Sequence, residues 1–266
     1  MKHVPLSTGK SNLIMNKLFD SNLVLNEEEH KYTLKTKLDL EFTSVTAFIH
    51  KFFQPFDAEK TADYLVSSIP KYKNKKAEEL LADWKQSGID GTEVHKQLET
   101  YVKNQSRPKH PKALHGVKWL KDSVYGNGDF KILAEATLYS EEIKIAGTID
   151  LLIHNVTTDE YTLGDWKTSK VIRESGYKGA MGTMGPAKKL EDCNYIHYAL
   201  QLSMYRYILK KYYGLKVIDQ YLIHLKDTKV VVYPTPYYEE IIKGMTERGW
   251  VEKPGTQLDL AFNNDK

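Results

Sequence analysis

One stretch constrains this chain more than any other: Gly147 to Lys170, GTIDLLIHNVTTDEYTLGDWKTSK. Two largely apolar runs flank a polar segment, Asn155 to Glu160. In the first run Ile149, Leu151 and Ile153 alternate with Thr148, Asp150 and Leu152, which is the period of a strand. The polar segment predicts the turn. A hairpin symmetric about it sets Asp150 opposite Asp165, with Cβ atoms roughly 4.5–5.5 Å apart. Asp165 and Lys167 are two apart and share a face. The hairpin thus gathers two acids and one lysine. Opposed like charges repel, so a cation belongs there, either Lys167 itself or a divalent metal. Carboxylate oxygens suit Mg²⁺ or Mn²⁺. Such an ion polarises a phosphoryl oxygen and lowers the pKa of a bound water. Lys167 would hold that water or offset charge in the transition state. Asp-x-Lys is also a common tripeptide, and a surface hairpin with an ordinary ion pair is the alternative.

The 266 residues suffice for a large core and predict one domain, or a domain with an appendage. The formal charge of +3 identifies no partner, but its distribution is uneven. Lys71, Lys73, Lys75 and Lys76 cluster. Residues 103 to 121 carry Lys103, Arg107, Lys109, Lys112, Lys118 and Lys121 with no acid among them. Such a segment suits a polyanion or forms a solvated loop and helix face. The single cysteine, Cys193, excludes an internal disulfide, a Cys-rich zinc site and a cysteine-held iron–sulfur cluster. It fits a reducing cytosol. No apolar run approaches the ~20 residues that span a bilayer. MKHVPLSTGK lacks a signal-peptide core and any arginine. A cytoplasmic protein is expected (the host cytoplasm for a viral source), with no membrane association.

Short β-like pieces are predicted at 23–25 and 31–34. A helix follows to about Phe53, capped by Ser44 or Thr46. Ala58 to Ser68 is helical and stops at Pro70. The next helix covers Ala77 to Gln86. Ser87 to Gly91 reads as a turn, and Thr92 as the cap of a further helix over 93–102. Pro111 predicts irregular chain before a short basic helix over 113–122, weakened by Gly116. Strands at 132–139 and 143–153 form a meander that feeds the central hairpin. Residues 171–190, rich in glycine, form a loop. A long helix runs from Asp192 to Tyr213, then strands at 217–225 and 229–233, and a helix over 237–248.

Further residues align with the hairpin. Gly91-Thr92-Glu93-Val94-His95 opens a helical segment. Glu135 lies in the first strand of the meander. Gln201 and Tyr205 are four apart on the long helix and share a face, which His197 extends by a turn. Taken singly, each has an ordinary explanation: a structural histidine, a solvent-facing strand acid, a packed Gln–Tyr pair. Together and in this order they resemble the RecB-like branch of the PD-(D/E)XK nuclease superfamily. That branch has a helical Gly-Thr-x-x-His, a strand Glu, Gly-x-x-Asp, Asp-x-Lys and Gln-x-x-x-Tyr. The matching positions are Gly91, Thr92 and His95, then Glu135, then Gly147 with Asp150, then Asp165 with Lys167, and Gln201 with Tyr205. His30-Lys31-Tyr32 and Ser44-Val45-Thr46 look like the N-terminal signature of phage and mitochondrial genome maintenance exonucleases of this branch. The resemblance covers residues 24–233. Ile149 stands where the superfamily name places a proline, and the chain lacks the four cysteines of its cluster-bearing relatives.

The resemblance implies an α/β fold, a mixed central β-sheet flanked by helices with a helical N-terminal portion. It implies a single nuclease domain over 23–250, with the helical part at 44–122 and the catalytic core at 130–233. Residues 1–22 would be a peripheral segment and 251–266 a flexible tail. His95, Asp150, Asp165 and the Trp166 carbonyl would hold Mg²⁺ or Mn²⁺. Lys167 would position the attacking water with Glu135 assisting. Gln201 and Tyr205 would contact the DNA backbone, and the basic residues of 103–121 would line a single strand. The tail segment Gln257 to Phe262 looks like a peptide that docks on bacterial sliding clamps. The function so implied is a metal-dependent DNA exonuclease acting on single strands or ends, in replication, recombination or repair. A structure-specific endonuclease and a non-catalytic nucleic-acid-binding module are the alternatives.

Overall fold

Eight strands form one mixed sheet among the residues described by the computed structural model, which are 17–26, 31–126 and 128–247. The strands are β1 (Leu23–Asn26), β2 (Lys31–Leu34), β3 (Lys37–Ser44), β4 (Phe130–Ser140), β5 (Ile145–Asn155), β6 (Glu160–Lys167), β7 (Lys216–Leu225) and β8 (Val230–Pro234). Helices flank the sheet: α1 (Val45–His50), α2 (Ala58–Ser68), α3 (Ala77–Asn104), α4 (Pro111–Leu120), α5 (Asn194–Ile208) and α6 (Glu239–Thr246). The expected α/β class and mixed sheet are therefore present. His30, the tail segment 257–262 and most of the expected peripheral segment lie outside the described residues. No helix among the described residues is long and apolar enough to cross a membrane.

β5 organises the sheet. One of its edges pairs antiparallel with β4 along its whole length, Phe130↔Asn155 to Ser140↔Ile145. The other edge is shared. β3 pairs with it in parallel at Ile145 and Ala146, and β6 pairs antiparallel from Leu151 to Asn155. No ladder pair on that edge covers 147–150, so β3 and β6 leave a gap there. Past Gly164, β6 leaves β5 and continues only with β7, where Asp165↔Leu222 and Lys167↔His224 are parallel pairs.

Two cores lie on the two faces. Val45, Phe48 and Ile49 of α1 and much of α5 pack on Ala136, Leu138, Ile145, Ile149, Leu152 and Leu163. Val94 and Leu98 of α3 and Val117 and Leu120 of α4 pack on Leu151, Ile153, Trp166 and Ile223. The expected alternation along β5 therefore changes parity. Ile149 faces the α1/α5 core, whereas Leu151 and Ile153 face α3/α4. β4 switches in step, with Ile132 packed on the α3/α4 side and Ala136 on the other. The switch falls at Glu135 and Asp150. Glu135 has φ of 54°, and the pairs Ala134↔Leu151 and Ala136↔Ile149 bracket it. A left-handed residue in an otherwise extended strand reverses which side the chain presents.

Two expectations are corrected. α3 is one helix of 28 residues that runs straight through Ser87 to Gly91. Thr92 does not cap a new helix, because its Oγ1 donates to Gly88 O at 3.2 Å within the same helix. A glycine costs a helix interior about 1 kcal/mol, and burial of Leu80, Val94, Leu98 and Tyr101 along α3 outweighs it. Gly91 also serves a contact, since a Cβ there would sit 2.9 Å from Thr168 Oγ1. Pro111 starts α4 instead of delaying it. It occupies the first turn, where a missing N–H is harmless, and His110 Nδ1 accepts from Lys112 N–H at 3.1 Å as the N-cap. At α1 the cap is Ser44, whose Oγ accepts from Ala47 N–H at 3.1 Å.

Candidate metal centre at the split between β5 and β6

The hairpin closes as its symmetry requires, with Asn155 paired to Glu160 and Leu151 to Gly164. One step further, that register sets Asp150 opposite Asp165. There the backbone ladder stops and a side chain takes over: Trp166 N–H donates to Asp150 Oδ2 at 2.9 Å. The same oxygen lies 3.3 Å from His95 Nδ1 on α3. Glu135 stands across from Asp150 on the β4 side. Single ligand atoms of His95, Glu135 and Asp150 all fall within 4.8 Å of one another, so this group can hold a metal ion.

Asp165 has a different neighbour. It is 3% exposed, and its Oδ2 lies 2.8 Å from Lys167 Nζ. That contact is ionic without a well-aligned hydrogen bond. The close group is thus His95, Glu135 and Asp150, with Asp165 and Lys167 beside it, whereas the resemblance put Asp165 among the ligands and Glu135 in support. Lys167 Nζ also sits 4.1 Å from the ring centroid of Tyr198 on α5, a cation–π contact. Sequence reasoning missed Tyr198. Its signal was the helical spacing to Gln201 and Tyr205, three and seven residues on.

The electrostatics explain why a cation fits. Burial opposes charge on His95, but the Asp150 carboxylate outweighs it and raises the imidazole pKa to about 9. Burial works against Asp150 as well, yet His95, Lys167 and the Trp166 N–H hold its pKa below the usual value. Burial, then repulsion from Asp150, pushes Glu135 up to about 8. Burial and Asp150 push Asp165 up to about 6 against the pull of Lys167. The cluster therefore has more acid than its own cations neutralise. Two carboxylates and one imidazole are also a donor set that hard divalent ions accept.

This gives a pH-dependent expectation. A carboxyl whose folded pKa is raised contributes stability that is fully present below its unfolded pKa and is lost as pH rises through the folded value. In chelator, Glu135→Gln should already be the more stable at pH 6, where Glu135 keeps its proton in the folded chain and loses it in the unfolded one. At pH 8 its lead should be wider by on the order of 2 kcal/mol. Urea unfolding at the two pH values checks this, and an equal difference at both would contradict the assignment.

The remaining predicted residues are placed variously. Tyr205 is 4% exposed, and its hydroxyl accepts from Gln201 Nε2 at 3.1 Å. Burial, together with Tyr32, raises its pKa well above the ordinary phenol. Its ring packs on Gly147, where a Cβ would lie 2.7 Å from Cε1, which is why this strand position carries glycine. Of the basic residues, Lys103 pairs with Glu99 at 2.7 Å and Lys118 with Asp122 at 2.5 Å. Lys112 Nζ donates to Thr168 O at 2.8 Å, tethering the chain just after Lys167. Lys121 Nζ lies 5.9 Å from the Tyr101 ring. Arg107 and Lys109 are exposed. The segment is thus a mixture of tethered and solvent-facing cations.

No protein-family model matches the chain, and no curated protein matches it. Two solved structures bear a distant likeness. A protein named SSO0001 is 15% identical, with 89% of this chain and 83% of that one covered and a TM-score of 0.34. A protein from Eubacterium rectale named "Putative exonuclease" is 11% identical, with 77% of each chain covered and a TM-score of 0.36. At these identities and scores neither likeness decides the fold or the activity.

Proposed function

We propose that the chain is a Mg²⁺- or Mn²⁺-dependent deoxyribonuclease of the PD-(D/E)XK type, an exonuclease that hydrolyses phosphodiester bonds at single strands or ends. The observation that carries this reading is the convergence of His95, Glu135 and Asp150 within 4.8 Å beside the Asp165–Lys167 pair. When bound, the ion would supply Lewis-acid polarisation of the phosphate and an acidified water. The chain's own groups do the rest. Asp150 orients His95 and is itself fixed by the Trp166 N–H. Lys167, held between Asp165 and the Tyr198 ring, presents its ammonium to water or to a phosphate oxygen. A fixed cation there offsets negative charge that develops on phosphorus-bound oxygens. Exposed Arg107 and Lys109 offer backbone contacts to DNA, of the kind that weaken as salt rises.

The test uses end-labelled single- and double-stranded DNA and a closed circular substrate, each with Mg²⁺ or Mn²⁺. Stepwise loss of label from linear DNA, with the circle intact, is expected. Efficient cutting of the circle would replace the exonuclease reading by the endonuclease one. DNA binding with no turnover under either metal would leave a binding module.

A further inference from the structure

Arg206 on α5 is a half-buried cation without an ion-pair partner among the described residues. Its Nε is buried and makes no hydrogen bond, and among the described residues no carboxylate forms an ion pair with it. It stacks over Tyr237, 4.5 Å from guanidinium carbon to ring centroid. Burial pulls its pKa below the ordinary value, while Asp219 and Glu239 act on it through space without pairing. The Tyr237 hydroxyl is likewise buried without a hydrogen-bond partner. Two unsatisfied donors side by side are unusual in a folded protein.

Both belong to a cavity of about 380 Å³ that Lys210, Lys216 and Glu239 also line. The size falls within the roughly 300–1,000 Å³ of small-ligand sites. Lys210 already bonds Glu239 at 3.1 and 3.2 Å, and Lys216 pairs with Glu160 at 2.6 Å. The two lysines are thus each matched by a carboxylate, and Arg206 is the lining cation left without an ion pair. Leu215 and Val217 supply an apolar wall. The cavity is separate from the metal centre. Lys216 pairs with Glu160 at the start of β6, and Asp165 lies about 17 Å further along that strand at ~3.3 Å per residue.

The geometry points to a second ligand site in which Arg206, Tyr237, Lys210 and Lys216 bind a phosphate monoester. A guanidinium fork matches two phosphate oxygens, and the phenol donates to a third. A phosphate monoester carries roughly −1.5 to −2 at neutral pH and offers three acceptor oxygens, enough for the guanidinium and the phenol together, where a carboxylate offers two. The group has two sources, a free nucleoside monophosphate or the phosphorylated end of a strand. The choice of these two sources rests on the nuclease reading, whereas the phosphate site itself uses none of the same residues.

Calorimetry on the full chain in chelator tests it with three probes: a deoxynucleoside 5′-monophosphate, and one short single-stranded oligonucleotide with and without a 5′-phosphate. The mononucleotide should bind, and Arg206→Gln should weaken it at least tenfold. Tyr237→Phe should weaken it several-fold, and so should Lys216→Ala, whose side chain is 69% exposed and removable without harm to the fold. A preference for the 5′-phosphorylated oligonucleotide over its hydroxyl counterpart makes a strand end the source, and its absence makes the free nucleotide the source. No binding of the mononucleotide or of the phosphorylated end would overturn the site. Binding that survives both Arg206→Gln and Lys216→Ala would do the same.

Discussion

If the proposed nuclease activity holds, Lys167→Ala should lower phosphodiester hydrolysis about 10²–10³-fold, the usual cost of removing one fixed electrostatic stabiliser, and leave DNA affinity close to wild type. The reasoning is local. Lys167 is held by Asp165 at 2.8 Å and by the Tyr198 ring, so its ammonium is fixed before substrate arrives. A preorganised charge costs no reorganisation during reaction. Its removal should spare the fold. Asp165 loses a group that lowers its pKa, which already stands at about 6, and so takes up a proton near neutrality instead of remaining a buried, unpaired charge. Single-turnover rates and fluorescence-anisotropy binding, measured side by side, separate the two effects. A variant that cleaves at the wild-type rate would exclude Lys167 from the chemistry.

Trp166→Ala should be the most destabilising single change near the site, by roughly 3–5 kcal/mol for loss of a buried tryptophan and the cavity it leaves. Trp166 is 2% exposed and lies between Asp165 and Lys167 in sequence, yet it points the other way. It packs with Leu98, Val117, Leu151 and Ile223 and meets Trp119 edge-on at 5.7 Å. It therefore anchors the segment of β6 that has parted from β5. Activity should fall with stability, because that segment carries both Asp165 and Lys167. Urea unfolding gives the stability change. A loss below about 1 kcal/mol, the level of an ordinary surface site, would mean that β6 is positioned by other contacts.

The hairpin was legible because its polarity pattern is local. Asn155 and Glu160 bound the turn in sequence and pair in space. The continuity of α3 was not legible. Gly88 and Gly91 look like a break, and only tertiary burial of Val94 and Leu98 keeps the helix continuous. The parity switch at Glu135 and Asp150 was hidden for a similar reason. A left-handed glutamate has no signature in sequence, and φ of 54° is held against its intrinsic cost by the surrounding strands. Such strain collects at functional sites, and here it coincides with the residues that form the metal group. Lys112 shows the limit of reading charge from composition. It belongs to an acid-free basic run, but its ammonium is spent on the Thr168 carbonyl. Arg206 shows the converse, an unremarkable helix residue in sequence whose unbonded, buried Nε emerges only from packing.

The central claim is that His95, Glu135 and Asp150 hold a divalent cation beside Lys167. Titration calorimetry with Mn²⁺, with and without DNA, tests it most directly on wild type and Asp150→Asn. The wild type should bind Mn²⁺ saturably, and the variant should bind it about tenfold more weakly or worse. A wild type that takes up no Mn²⁺ in either condition, or a variant that binds it equally well, would contradict the account.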